Sequence, residues 1–237
     1  NELYGTLRRI YFYYVGSSGT VSEISGNTIQ GPNAPPSGNV VWGILFNYYA
    51  GTFNIFNNKL NTLRSANNTG TEGIYGFGTL NGQAGVTVNL FNNFFGGDFK
   101  HTGSGTPASI DVISFQDAPS GATCNVYNNT VVLNNMTKTA SGRMTCIRLA
   151  GTWTKNVKNN IFINKKTGTS VAYCILMGAT TGTMDFNYNN YYLDDATNGN
   201  IGYWTSATKT LSDWQTASGQ DANSVSKAVN FVSATDL

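Results

Sequence analysis

Charge is scarce in this chain of 237 residues, of which only 11% are Asp, Glu, Lys or Arg, and the formal net charge is +2. Nucleic acid and anionic membranes are therefore not expected as partners, since both select for dense, clustered positive charge. The short basic runs Arg8-Arg9 and Lys165-Lys166 read as solvated turn residues. Histidine occurs once, at His101, within a Gly/Ser/Thr-rich stretch. That argues against a catalytic triad or a His-rich metal site and for a solvated loop residue. Apolar runs stay well short of the ~18 residues needed to span a bilayer, so membrane insertion is not expected. No signal peptide is recognisable, residue 1 is Asn, and a repeat is under way by about residue 7, so the chain reads as a piece of something longer. Helix formers are few beside turn formers, whereas aromatics reach 13%, which sets the chain apart from disordered sequence.

Asn (31), Thr (29) and Gly (27) are plentiful, and the asparagines are not scattered. The phrase apolar, polar, apolar, any, Asn, Asn, any, apolar occurs as Phe53–Leu60, Val88–Phe95 and Cys124–Val131. Looser copies run over Lys155–Phe162 and Asp185–Tyr192, and a weaker one closes at Ile24–Ile29. The second Asn of each pair falls at Asn27, Asn58, Asn93, Asn129, Asn160 and Asn190, at intervals of 30 to 36 residues. A period of that size signals a solenoid. Between the Asn phrases a second strand recurs around Ile10, Ile44, Ile74, Ile113, Ile147 and Ile175, followed by a Gly/Ser/Thr turn. A third, variable segment leads back to the next Ile, and the Gly and Pro content of 31–38 and 96–107 marks loops there. Three short strands per repeat predict an all-β, single-stranded right-handed parallel β-helix of about six or seven coils, its equivalent strands ~4.8 Å apart along the axis.

Equivalent residues should then stack. Ile24, Ile55, Leu90, Val126 and Val157 form one expected core column, and Ile29, Leu60, Phe95, Val131, Phe162 and Tyr192 another. The Asn pair lies between them, where the chain must turn sharply. Asn tolerates left-handed backbone, and its amide can bond the same amide in the coils above and below. The asparagines are thus assigned to a structural ladder rather than to catalysis, which answers the ~1–3 kcal/mol cost of a buried, unpaired amide. Thr52, Thr87, Thr123, Thr154 and Thr183 are expected to stack likewise. A single Thr column is better explained by cross-strand hydroxyl pairing than by an ice-binding face, which needs several adjacent columns. Residues 1–205 are read as the β-helix and 206–237 as an end-covering helix with a C-terminal extension of the same domain. Thr210 or Ser212 supplies the helix start and Gly219 the stop, with Leu211 and Trp214 covering the last coil.

On the Asn phrases, with Val-x-x-Asn-Asn-x-Phe as their core, residues 7–205 resemble the right-handed parallel β-helix repeat proteins, a pectate-lyase-like superfold. The closing stretch Leu211–Val225 looks like the segment that ends such helices in large secreted proteins of gliding, Bacteroidota-type bacteria. Many of those are exported by the type IX pathway through a separate C-terminal signal domain. The resemblance implies a secreted or cell-surface location and adhesion, and names no ligand. Surface or environmental polysaccharide, flanking domains and an export machinery are the expected partners, and no cofactor is expected. The leading expectation is a non-catalytic β-helix module serving as a rigid spacer or as an adhesive, glycan-binding domain, since fold alone does not fix function. The alternative is a carbohydrate-active enzyme, a polysaccharide lyase or glycoside hydrolase, acting in a groove along the helix, with Ca²⁺ implied only for a lyase.

For a lyase the base candidate is Arg148, outward between Ser114 and Leu176, with Asp111, Asp117 and the loop residue Asp98 as the nearest carboxylates for a Ca²⁺ site. No column holds two carboxylates in adjacent coils, so no metal site is assigned. A hydrolase needs converging acids, and Asp194-Asp195 would point to opposite faces of a strand, which makes them turn residues. Cys146 and Cys174 each stand just before a recurring Ile on adjacent coils, within disulfide reach but with poor torsion geometry. Stacked, reduced thiols are favoured, and Cys124 is expected to be buried and inert. Outward aromatics are the remaining surface. Tyr11, Leu45 and Tyr75 are read as one stack, and Tyr11, Tyr75, Tyr203 and Trp204 are the ligand-binding candidates.

Overall fold

Short alternating stretches joined by Gly, Asn and Thr corners leave the coils no room for helices and fold each into three strands. The computed structural model describes residues 2–4, 8–31, 40–65, 73–97, 99–101, 109–117, 119–133, 142–166 and 170–231. Their strands stack into three large sheets. The first contains Arg8–Val15, Val41–Tyr49, Ile74–Leu80, Ile110–Phe115, Arg143–Leu149, Val171–Met177 and Gly199–Tyr203, all parallel, closed by the antiparallel Ala207–Thr208. The second stacks Val21–Ser25, Thr52–Phe56, Thr87–Phe91, Thr123–Tyr127, Thr154–Lys158 and Met184–Asn187. The third stacks Glu2–Tyr4, Thr28–Gln30, Lys59–Asn61, Phe94–Gly96, Thr130–Leu133, Ile161–Asn164 and Asn190–Leu193. The protein is an all-β parallel β-helix solenoid. His101, expected in a loop, lies on the short strand Lys100–His101, which pairs with Arg64–Ser65. Asp98 and the proline-rich 32–39 lie outside the described residues.

Equivalent residues do stack, and the inward columns are dry. Ile55, Leu90, Val126 and Val157 are fully buried, as are Ile29, Leu60, Phe95, Val131 and Phe162. Two columns are corrected by register. Phe162 pairs with Tyr191, not Tyr192, and it is Tyr191 that is buried. Phe77 rather than Ile74 joins Ile44, Ile113, Ile147 and Ile175, while Ile74 pairs with Val41 and Ile110. The strand there is longer than the Ile phrase suggested, and it bends. Val112 and Ile113 both enter the core, as do Cys146 and Ile147, so the alternation is broken once and the two halves of each strand face the axis at different angles. Gly43 and Gly76 occupy this bend, where a Cβ on Gly43 would lie 2.4 Å from the Gly76 carbonyl. The three cysteines are free thiols and buried, and desolvation pushes the Cys124 thiol up to about 12. One member breaks the apolar rule: the column of Phe53, Val88 and Cys124 continues with Lys155, whose side chain is inaccessible to solvent.

The corner between the second and third sheets is built by the Asn pair. Its first position is held left-handed by Gly26, Asn57, Asn92, Asn128, Asn159 and Tyr188, with φ between 54° and 65°. Gly and Asn adopt this readily, whereas for other residues it costs about 1–2 kcal/mol. The second position is the buried ladder. Asn58, for example, donates from its backbone N (3.0 Å) and its Nδ2 (3.0 Å) to Asn93 Oδ1, and from Nδ2 to Ile24 O (2.8 Å). The same bonds link Asn27 to Asn58, Asn93 to Asn129, Asn129 to Asn160, and Asn160 to Asn189. The last rung is therefore Asn189, and Asn190, named for it from the sequence, sits one residue beyond and pairs with the backbone of Lys227. In this coil the phrase carries Asn187-Tyr188-Asn189-Asn190, and Tyr188 takes the left-handed slot that a first Asn takes elsewhere.

A second ladder was not foreseen. Asn54, Asn89, Asn125 and Asn156, at the second position of the phrase, face outward and chain their amides at 2.7–2.8 Å. The helix spans Leu211–Ser218, with Thr210 as N-cap, a capping box to Asp213 and left-handed Gly219 as its stop. It seats Trp214 in the core. The segment after it delivers Asp221 to the end of the buried ladder, where the carboxylate accepts from Asn189 Nδ2 (3.0 Å), Trp214 Nε1 (2.8 Å) and the Tyr191 hydroxyl (3.2 Å). Ser224 Oγ accepts from the Asn189 backbone N (2.8 Å). The ladder's outgoing donors thus end on the Asp221 carboxylate and the Ser224 hydroxyl.

Candidate functional site

Two columns of the first sheet point away from the core. One holds Trp42, Tyr75, Asp111, Thr145, Tyr173 and Asn200; the other holds Tyr11, Leu45, Gly78, Ser114, Arg148, Leu176 and Tyr203. Arg148 thus lies between Ser114 and Leu176, as expected. Tyr75, expected beside Tyr11 and Leu45, belongs instead to the other column, because the strand register is set by Phe77.

The face changes character along the axis. In the second and third coils it is closed: Trp42 stacks on Tyr75 with ring centroids 4.1 Å apart, and its indole lies over Gly78, where a Cβ would sit 2.0 Å from the ring. Tyr75 is therefore a packed residue rather than a free platform. Burial and the neighbouring Asp111 push its hydroxyl pKa up, against the pull of Arg148 and Arg143. Asp111 is fully buried and binds Arg143 through both oxygens, at 3.1 and 2.7 Å. Burial alone would lower the Arg143 pKa, but the Asp111 charge raises it above the usual value.

Further along, the face opens into a groove of about 450 Å³ lined by Ser109, Gly142, Arg143, Val171, Tyr173, Leu176, Met177, Gly178 and Tyr203. The Tyr173 and Tyr203 rings meet edge to face at 5.9 Å and 82°. The polar atoms on this face include Ser114 Oγ, Thr145 Oγ1, Arg148 Nε and Asn200 Oδ1, which are buried without a hydrogen-bond partner among the described residues. None of these four residues lines the groove, and their polar atoms are shielded from solvent. Arg143 and Tyr173 escaped notice in the sequence because the strand preceding Ile147 and Ile175 looked shorter than it is. Extending the alternation back from Arg148 and Leu176 across the bend would have found both.

Asp117 is at the corner after its strand, and its carboxylate accepts from Tyr49 (2.9 Å), Thr79 (2.7 Å) and the Gly82 backbone N (2.6 Å). With Asp111 held by Arg143, the two named carboxylates do not converge. Among the described residues no three His, Cys, Asp or Glu side chains gather, and Asp98 lies outside those residues. Trp204 packs edge to face on Trp214 at 5.7 Å and belongs to the end cover. Tyr11 is 37% exposed, and its hydroxyl accepts from Asn47 Nδ2 at 3.2 Å. Lys166, expected to be solvated, is buried and paired with Asp195 at 2.7 Å. Asp195 is a turn residue whose other oxygen accepts from the backbone N of Thr197 and Asn198. Burial would raise its pKa, but those bonds and Lys166 leave it lowered.

Fold and face together define the class as a parallel β-solenoid with a grooved outer sheet. No protein-family model matches the chain, and no curated protein and no solved structure matches it.

Proposed function

We propose that this β-helix is a non-catalytic, rigid module of a secreted or cell-surface protein that holds a polysaccharide in the groove of its first sheet. The observation that carries this reading is the combination, around one outward groove, of two tyrosine rings and the Arg143 guanidinium. Sugars present both an apolar C–H face and a rim of hydroxyls, which such a surface complements. Asp111 and Asp117, two of the carboxylates named for a lyase, are committed to Arg143 and to the corner at Gly82, which supports binding over cleavage. The Leu211–Val225 resemblance supports placing the module in a large protein of the Bacteroidota type IX kind, within the pectate-lyase-like superfold. Flanking domains and the export machinery are then its other partners.

The test is a glycan array with the purified domain, followed by an assay of any bound acidic polysaccharide for unsaturated products. Binding without products is expected, and Tyr173→Ala and Tyr203→Ala should each weaken it by roughly ten-fold or more, the ~1.4 kcal/mol scale of a lost aromatic contact. Product formation would sink the non-catalytic reading, and binding indifferent to both tyrosines would sink the groove.

A further inference from the structure

The corner that follows the first strand in the two N-terminal coils carries tyrosines that the groove does not use. Tyr11, Tyr13 and Tyr14 are 37%, 52% and 70% exposed, and they gather with Tyr48 of the next coil. Tyr14 and Tyr48 stack at 4.7 Å and 11°, while Tyr13 stands nearly perpendicular to both, at 4.5 and 5.5 Å. Amides edge the cluster: Asn81 Nδ2 donates to Asn47 Oδ1 (2.9 Å), and Asn47 Nδ2 donates to the Tyr11 hydroxyl (3.2 Å). Tyr14 and Tyr48 hold left-handed backbone, with φ of 53° and 54°, which bulky residues rarely adopt. The register places Asn81, with φ 54°, at the same corner of the third coil. Asn therefore serves this backbone where no ring is present, whereas Tyr14 and Tyr48 occupy it at a cost in strain. Strained residues of this kind concentrate where a surface is used.

We propose that this tyrosine corner is a second carbohydrate contact, which takes the C–H face of a neutral sugar ring on Tyr14 and Tyr13 and its hydroxyls on Asn47 and Asn81. The proposal rests on the reading of the module as a glycan binder. A saccharide fits better than a protein, because the exposed ring area is on the order of 300 Å², well below the ~800 Å² that each side of a stable protein interface buries. The amide rim also suits hydroxyl groups.

Tyr14→Asn and Tyr48→Asn separate this role from a structural one. They are compared with Tyr173→Ala by titrating the whole chain with neutral oligosaccharides of glucose, mannose, xylose and N-acetylglucosamine, and by melting each variant without sugar. The corner variants are expected to lose about ten-fold or more in affinity while Tm holds or rises, since Asn relieves the left-handed strain. A lower Tm with unchanged affinity makes the rings a structural stack and overturns the proposal. Loss through Tyr173→Ala alone overturns it too and leaves only the groove, whereas loss through the corner variants alone upholds the corner and removes the groove.

Discussion

Asn93 shows what a single rung of the buried ladder does. Its Oδ1 accepts both Asn58 donors, and its Nδ2 donates to Ile55 O (2.8 Å) and Phe91 O (3.1 Å). Asn93→Ala leaves those groups buried and unpaired, at ~1–3 kcal/mol for each that water cannot reach. A loss of about 3 kcal/mol is expected, seen as a lower urea midpoint with an unchanged slope. Asn125→Ala, in the outer ladder, should cost under about 1 kcal/mol, because solvent replaces its half-exposed bonds. Equal losses would contradict the division into a buried and a solvent-replaceable ladder. Lys155 is the opposite case, a cation in an apolar column with its Nζ donating to Thr181 O at 2.7 Å. Burial lowers its pKa below the ordinary lysine value. Between the lowered folded value and the ordinary one, the unfolded chain holds more protons than the folded chain, so stability rises with pH across that window. Lys155→Met should accordingly raise Tm at neutral pH, and its advantage should shrink as pH climbs toward the ordinary lysine pKa. A constant advantage across that range would place the effect in packing rather than in charge.

At the scale of the element, legibility followed local chemistry. The Asn corner could be read because left-handed backbone and a stacked amide both restrict residue choice, and a restriction repeated every coil is visible. The helix at Leu211–Ser218 was readable for the same reason, through Thr210 and Gly219. Where the chemistry tolerates alternatives, the reading slipped by one register step. Asn187-Tyr188-Asn189-Asn190 offers two ways to place a pair, and only the pairing of Phe162 with Tyr191 decides between them. Ile74 matched the Ile phrase, yet Phe77 holds the column, since any large apolar side chain fills it. The groove was harder still. Its outward columns mix Tyr, Asp, Thr, Ser, Arg and Leu, so no repeating residue type marks them, and the bend at paired inward residues such as Val112 and Ile113 hides the outward parity of the strand's first half. Tyr203 of its lining is legible in the sequence, but its association with Arg143 and Tyr173 depends on stacking between coils.

For the molecule as a whole, coils contact mainly their neighbours, so stability is set by coil interfaces and opening starts where an interface is missing. The buried ladder sharpens this at the C-terminal end. Every rung sends its backbone N and one Nδ2 bond to the side-chain oxygen of the following coil, and the last of these require an acceptor that no further Asn provides. Asp221 and Ser224 supply it, and Asp221 also anchors Trp214 of the helix and the Tyr191 hydroxyl. Asp221→Ala should therefore release the end cover and fray the last coil without unfolding the column. Amide exchange across Val171–Leu193 is expected to accelerate by roughly 100-fold, corresponding to the ~3 kcal/mol of several buried donors left unpaired. Across Thr52–Asn61, more than two coils away, the change should stay within about three-fold, because nearest-neighbour coupling decays along the axis. Equal acceleration in both regions, measured by mass spectrometry on the same samples, would show that the solenoid opens as one unit and that the ladder's terminus is no local stop.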